Sequence, residues 1–175
     1  MTESGHEAVM AGLSAQLSRL WRYGLVLSGN RSVAEDLVQA TCVRALERAD
    51  QFTPGTRLDR WLFTILHSIW LNEVRAARLR RGRGLVDPES GLVFDGIKEI
   101  ETNILAAQVL REVQSLPEAQ RETVFLVYAE GLTYREAAKI LAVPIGTIMS
   151  RLAGARAKLA ALAGEDVSGE KKKKR

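Results

Sequence analysis

A break in the middle of one helical segment constrains the fold more than any other feature. The segment Leu132 to Leu159, LTYREAAKILAVPIGTIMSRLAGARAKL, keeps the apolar spacing of a helix except at AVPIG, Ala142 to Gly146. Pro144 has no amide hydrogen to donate and biases Val143 away from helical backbone, so the first helix must end there. Two helices joined by such a short turn form a helix-turn-helix.

The second of these helices has one apolar face and one face of small residues. The apolar face, which must pack on the preceding helices, contains Ile148, Leu152, Ala155 and Leu159. The opposite face contains Gly146, Ser150, Ala153, Gly154 and Ala157, flanked by Arg151 and Lys158 on one side and Arg156 on the other. A DNA major groove accepts such a helix, and an ordinary surface helix of an all-α bundle is the alternative.

The remaining sequence predicts an all-α protein of two small helical domains. The 175 residues are 46% hydrophobic but only 6% aromatic, with four prolines, which favours helices over large sheets. Three helices are predicted in the first half, from Leu13 to Leu27, from Ser32 to about Asp50 and from about Arg57 to Arg81. Capping boxes are predicted at SVAE, from Ser32, and at TYRE, from Thr133.

A stretch without sustained periodicity separates the two helical parts. Residues 82–103 contain four glycines and an Asp-Pro pair, and we interpret them as a flexible linker between a domain at 10–81 and a domain at 104–163. Residues 164–175 are polar, end in KKKKR and are predicted to form a basic disordered tail.

Several classes of site are disfavoured by composition. Cys42 is the only cysteine, the two histidines are far apart, and no Gly-rich phosphate loop is found. We therefore expect no enzymatic activity, no metal and no cofactor. The most apolar segment, Trp61 to Leu71, is too short for a bilayer, and the amino terminus lacks a secretory signal, so we expect a cytoplasmic protein.

Charge is concentrated locally rather than spread over the chain. The net charge is +4, but the terminal run holds five of the 25 basic residues, which leaves 20 against 21 acidic ones elsewhere. Any affinity for a polyanion must therefore come from clusters. One such face is predicted on the third helix, with Arg60, Phe63, His67, Leu71, Arg75 and Arg78 pointing outward.

Aromatic and basic residues on one exposed face suit unpaired DNA, because rings stack on bases and arginines hold phosphates. Two alternatives remain from the residues alone: Phe63 and Trp70 fill the core, or the helix lies on a membrane surface.

The second helix is predicted to have a partly apolar outward face. Its core face is predicted to contain Ala34, Leu37, Val38, Thr41, Cys42 and Ala45. Its outward face is predicted to contain Asp36, Gln39, Val43, Leu46 and Glu47. Apolar residues on an outward face indicate a protein partner, although single exposed ones need no explanation.

Three groups of these residues resemble the extracytoplasmic-function (ECF) class of sigma-70 family factors. LTYREAAKIL and GTIMSRL resemble the promoter-binding region, AEDLVQAT resembles the segment that binds the clamp helices of core RNA polymerase, and FxPG, RWLFxI and NEVR resemble the regions that open and read the minus-10 element. The matches follow the family order over most of Leu13 to Leu162.

The resemblance implies a three-helix-type bundle, sigma region 2, and a helix-turn-helix domain, sigma region 4. The implied partners are core RNA polymerase, through its beta-prime and beta subunits, promoter DNA, and an anti-sigma factor, which is often membrane-bound. The implied polymerase contacts are Asp36, Gln39, Val43 and Leu46. The implied minus-10 contacts are Arg60, Phe63, His67, Ser68, Asn72, Arg75 and Arg78.

The implied minus-35 contacts are Thr147, Met149, Ser150, Arg151, Ala153, Gly154 and Arg156. Met149, Ala153 and Gly154 stand where the family often has long or basic side chains, so Ser150 and Arg151 are expected to do much of the remaining work. Ser68 stands where the family commonly has asparagine. Two other classes stay open: a helix-turn-helix regulator that acts without polymerase, and an antagonist built on a sigma-like scaffold.

Overall fold

A computed structural model of the chain describes residues 4–82 and 112–172. The chain divides into two compact units, Met1–Gly96 and Ile97–Arg175. The described residues of both units are helical and contain no strand, so the predicted all-α fold is confirmed. Most of the predicted linker, and the start of the second predicted domain at 104–111, lie outside the described residues.

The first unit consists of three helices: α1 (Gly5–Ser28), α2 (Arg31–Glu47) and α3 (Leu58–Gly82). A short 3-10 turn, Ala49–Gln51, follows α2. Helix α1 packs on both α2 and α3, which also pack on each other. The fully buried side chains of this unit include Leu20, Tyr23, Leu27, Leu37, Leu62, Phe63 and Leu66.

The ends of α1 and α2 follow from local hydrogen bonding. Ser4 and Glu7 form a capping box at the start of α1, and Gly29 closes the helix with a φ of 65°. The capping box predicted at Ser32 is wrong, because the Asn30 side chain already accepts the Val33 amide and starts α2 two residues earlier. Glu35 instead accepts a hydrogen bond from Arg31 at 3.2 Å.

The second unit contains the helix-turn-helix. Helix α4 (Glu118–Val124) follows Pro117 and continues into a π-helical segment, Phe125–Ala129. Helices α5 (Tyr134–Leu141) and α6 (Ile145–Lys172) come next. The capping box at the start of α5 is confirmed: Thr133 Oγ1 accepts the Glu136 amide, and Glu136 accepts the Thr133 amide at 2.9 Å.

The turn between α5 and α6 confirms the predicted break. Ala142 adopts left-handed backbone, with φ 51° and ψ 44°, and the axes of the two helices meet at 104°. The apolar face of α6 is buried at Ile148, Leu152 and Ala155, as predicted, whereas Leu159 is half-buried.

Helix α6 runs to Lys172 and so continues into the stretch from residue 164 for which the sequence predicts a disordered tail. Once a helix is nucleated, each added residue gains one hydrogen bond, and the Glu and Lys residues of this stretch favour helix despite two glycines. Residues 173–175 lie outside the described part of the chain.

Among the helices of the described ranges, none is by itself long and apolar enough to cross a membrane. The bent pair Tyr134–Leu141 and Ile145–Ala161 reaches the required length and hydropathy only when its two helices are taken together.

Candidate nucleic-acid and protein interfaces

The outward face of α2 is a mixed polar and apolar surface, as predicted. Asp36, Gln39 and Val43 are exposed, Val43 to 57%, and Leu46 is half-buried. We call these four residues the α2 surface. The opposite side of the helix is buried at Ala34, Leu37, Thr41 and Ala45. Val38 and Cys42, also predicted to be core, are half-buried.

An acidic residue of α3 adds to this region. Burial and the negative charge of Asp36 raise the pKa of Glu73, against the effect of Arg80. Glu73 was not predicted, because its closeness to Asp36 depends on how α2 and α3 pack. Burial also raises the pKa of the Cys42 thiol, which makes a reactive thiolate unfavourable.

Phe63 and His67 face the core of the first unit, so their predicted outward orientation is wrong. They are only 1% and 5% exposed. The Phe63 ring packs edge-on against Tyr23, with centroids 5.4 Å apart, and His67 Nδ1 lies 3.2 Å from the Tyr23 hydroxyl. Helix α1 covers this side of α3. The prediction failed because the apolar pattern of α3 alone does not show which of its sides another helix covers.

Asp59 ties the start of α3 to α1. Its carboxylate accepts two hydrogen bonds from Arg57, at 3.1 and 2.8 Å, and lies 3.1 Å from the Arg19 guanidinium. Arg19 also lies over the Phe63 ring, 5.4 Å from its centroid. Burial opposes ionisation of Asp59, but the bonds from Arg57 and Arg19 outweigh it and lower the pKa to about 2.

The exposed part of α3 keeps the other predicted residues. Ser68, Asn72, Arg75 and Arg78 are exposed, and Arg60 is half-buried. Ser68, Asn72 and Arg75 follow one another at steps of four and three residues, so they form one stripe on the helix. We call these three residues and Arg78 the α3 surface.

Helix α6 presents a small and apolar outward face. Met149 is 50% exposed, Ser150 and Ala153 are exposed, and Thr147 is half-buried. The Ser150 hydroxyl donates to the Thr147 carbonyl at 3.0 Å. Arg156 is exposed and donates to the Tyr128 hydroxyl at 3.1 Å. These side chains form the α6 surface: Thr147, Met149, Ser150, Ala153 and Arg156.

Arg151 and Gly154 lie against α4. The predicted place of Gly154 on the outward face is therefore wrong, and Arg151, predicted to flank that face, is directed to α4 instead of outward. Arg151 is half-buried, and its guanidinium lies 3.2 Å from Glu122 Oε1. At Gly154 a Cβ atom would come within 2.7 Å of the Gln120 amide nitrogen. Both positions sit on the flank of α6 that packs on α4, which periodicity within α6 does not reveal.

Glu122 is a buried carboxyl whose charge depends on pH. Burial raises its pKa to about 7, the charge of Glu118 adds to the rise, and Arg151 and Arg121 oppose it. Arg121 donates to the carbonyls of Gln114 and Leu116, at 3.2 and 3.3 Å. Sequence reasoning missed Glu122, since nothing in its local pattern distinguishes it from a surface acid.

Within residues 4–82 and 112–172, no group of three or more His, Cys, Asp or Glu side chains could hold a metal ion. The two surfaces with outward basic residues, on α3 and α6, suit an interaction with nucleic acid, and the α2 surface suits a protein partner.

Comparison with known proteins identifies the family. The family model of sigma-70 region 2 matches residues 14–80, and that of sigma-70, region 4 matches residues 106–159. The chain is 36% identical over 165 residues to the ECF RNA polymerase sigma factor EcfG of Rhodopseudomonas palustris, covering 93% of this chain and 86% of the relative. The chain belongs to the ECF sigma factors of the sigma-70 family.

Other relatives agree with this assignment. The ECF RNA polymerase sigma factor SigC of Mycobacterium tuberculosis is 32% identical over 165 residues, covering 93% of this chain and 87% of the relative. The solved sigma factor RpoE from Bartonella quintana, in complex with the anti-sigma factor NepR, has a TM-score of 0.67 and 29% identity. That similarity covers 89% of this chain and 96% of RpoE.

As an ECF sigma factor, the chain is a transcription initiation factor that binds core RNA polymerase and promoter DNA. Family membership decides in favour of the sigma factor over a helix-turn-helix regulator that acts without polymerase.

Proposed function

We propose that the first unit binds core RNA polymerase and opens the minus-10 element, and that the second unit reads the minus-35 element. The proposed domains are residues 10–81, extended at the amino end to the start of α1 at Gly5, and residues 104–163. Residues 82–103 are the proposed linker.

The observation that carries the polymerase-binding role is the exposure of the α2 surface. Asp36, Gln39 and Val43 point to solvent from a helix whose other side is buried against α1 and α3. An acid, an amide and an aliphatic side chain on one rigid helix can form the charged rim and apolar centre of a protein interface. Leu46, half-buried at the edge, completes it.

The α3 surface is proposed to contact the minus-10 region. Arg75 and Arg78 supply positive charge for phosphates, Ser68 and Asn72 supply hydrogen-bonding groups, and Arg60 lies nearer the start of the helix. Phe63 and His67 are not proposed to touch DNA. Their contacts with Tyr23 position α3 against α1 instead.

The α6 surface is proposed to enter the major groove of the minus-35 duplex. Thr147, Met149, Ser150 and Ala153 occupy the first turns of the second helix, the part that reaches base edges in helix-turn-helix proteins. Arg156 lies farther along and suits a phosphate contact. Arg151 and Gly154 position α6 against α4 and are not proposed as contacts.

We further propose that the protein acts in the cytoplasm, has no enzymatic activity of its own, and is inhibited by an anti-sigma factor. Support for the inhibitor comes from RpoE of Bartonella quintana, which was solved in complex with the anti-sigma factor NepR.

Replacing Asp36 and Gln39 together by alanine is expected to weaken binding to core RNA polymerase roughly ten- to hundredfold, as for paired central interface residues. Fluorescence anisotropy of the labelled chain, titrated with core polymerase, measures this effect.

Glu35→Ala is the matched control on the same helix. Glu35 is exposed and pairs with Arg31 at 3.2 Å, so its loss should change the affinity by less than about twofold. Equal affinity of the double variant and the unchanged chain would contradict the proposed role of the α2 surface.

A further inference from the structure

The first turns of α6 expose long side chains that are apolar. Ile145 is 43% exposed and Met149 is 50% exposed, one helical turn apart. The exposed residues near them are small: Gly146, Ser150 and Ala153. These exposed residues of the first turns are all uncharged, although DNA is a polyanion, so the way in which this part of the helix could read bases needs an explanation.

Polar groups that could read base edges are mostly engaged within the protein. The Arg151 guanidinium faces Glu122 at 3.2 Å, and the Ser150 hydroxyl donates to the Thr147 carbonyl at 3.0 Å. Arg156 lies nearly two turns beyond Met149, and its guanidinium donates to Tyr128. Bidentate reading of guanine by an arginine at the centre of this surface is therefore disfavoured.

A major groove also offers an apolar feature. The C5-methyl group of thymine projects into it and is recognised by apolar side chains. Met149 and Ala153 are one turn apart on the same side of α6, so their side chains are neighbours. A flexible thioether and a methyl group side by side can enclose a methyl group that stands out from the groove floor.

Basic residues elsewhere in the second unit supply the charge complementarity for DNA. Arg135 and Lys139 are exposed one turn apart on α5, and Lys158 is exposed on α6. They suit phosphate contacts, which orient the protein without reading sequence. The basic residues can bind the phosphates, and the apolar side chains of α6 can contact the base edges. This combination fits a DNA duplex as the ligand of this surface.

We propose that Met149, packed beside Ala153, determines promoter specificity by contacting a thymine methyl group in the minus-35 duplex. The inference rests on the proposed minus-35 role of the α6 surface and specifies its chemistry. It places specificity in apolar contact rather than in hydrogen bonds from Ser150 and Arg151.

Replacing thymine by deoxyuridine tests the proposal, because this change removes the methyl group and keeps every hydrogen-bonding group of the base pair. Promoter duplexes are first selected from a random pool with holoenzyme assembled from core polymerase and the full chain. Each thymine of the enriched minus-35 element is then replaced singly, and holoenzyme affinity is measured by competition.

At one or more thymines, the replacement should weaken binding about fourfold, the equivalent of one buried methyl group. Met149→Ala should weaken binding to the thymine duplex several-fold. It should also bring the ratio of the affinities for the thymine and deoxyuridine duplexes close to one. Met149→Leu, which conserves volume, should keep the ratio within about twofold of the original. Lys139→Ala should weaken both duplexes equally and leave the ratio unchanged.

If the unchanged protein binds the thymine and deoxyuridine duplexes with equal affinity at every thymine position, the proposal is overturned. It is also overturned if Met149→Ala keeps the difference in affinity between the two duplexes. An enriched element without A·T pairs would overturn it as well. A selection that enriches no minus-35 element would instead overturn the proposed function of the second unit, together with the inference that rests on it.

Discussion

Arg151→Ala is expected to lower the free energy of unfolding of the second unit by roughly 3 kcal/mol at pH 8. The substitution leaves the Glu122 carboxyl buried, 7% exposed, without the guanidinium that lies 3.2 Å away. A buried charge that loses its partner is among the most destabilising changes in a protein.

The loss should be smaller at pH 6. Burial raises the pKa of Glu122 to about 7 from its ordinary 4.5, so between these values the folded state binds more protons than the unfolded state. The contribution of this carboxyl to stability is therefore fully present below pH 4.5 and falls as the pH rises through 7. At pH 6 Glu122 is largely protonated and depends less on Arg151, whereas at pH 8 it is ionised.

Hydrogen exchange measured by mass spectrometry resolves this effect, because it reports on amides of α4 and α6 separately from those of the first unit. Lys158→Ala, an exposed basic residue on the same helix, is the matched control and should change protection little. Adding Glu122→Gln to Arg151→Ala should restore part of the protection at pH 8. Unchanged exchange in Arg151→Ala would contradict the structural role given to this ion pair.

Asp59→Ala is expected to destabilise the first unit by roughly 2 to 3 kcal/mol at pH 7. The carboxylate is 6% exposed and accepts hydrogen bonds from Arg57 while pairing with Arg19, so its removal separates the start of α3 from α1. Its pKa is lowered to about 2, so this stabilisation is present above the ordinary value of 3.8 and is lost as the pH falls through 2.

Denaturant unfolding followed by tryptophan fluorescence measures the Asp59 effect, since all three tryptophans, Trp21, Trp61 and Trp70, lie in the first unit. Asp36→Ala is the control: this exposed acid should change the unfolding midpoint by an amount equivalent to less than about 0.5 kcal/mol. If Asp59→Ala and the unchanged chain unfold at the same denaturant concentration, the contacts of Asp59 do not stabilise this unit.

Local chemistry predicted the parts of the fold that depend on neighbouring residues. Pro144 lacks an amide donor and disfavours helical backbone at Val143, and the Thr133–Glu136 capping box needs only four residues. The start of α2 was less predictable, because Asn30 and Ser32 are both good capping residues two positions apart.

The candidate sites were predictable only where the apolar pattern of a helix marks the whole of its buried side. On α2 the apolar pattern separated the buried side from Asp36 and Gln39. On α3, by contrast, Phe63 and His67 belong to a second side that α1 covers, and periodicity within α3 does not indicate which helix packs there. The ion pair of Arg151 was missed for the same reason, since its partner Glu122 lies on α4.

The most direct test of the sigma-factor function on these surfaces is transcription in vitro with mapping of RNA 5′ ends. Core RNA polymerase is supplied with genomic DNA of the organism that encodes the chain, alone, with the chain, or with the Asp36→Ala, Gln39→Ala variant. We expect the chain to create a discrete set of start sites that share two upstream elements, and the variant to abolish most of them. Start sites that are the same with and without the chain would contradict the account.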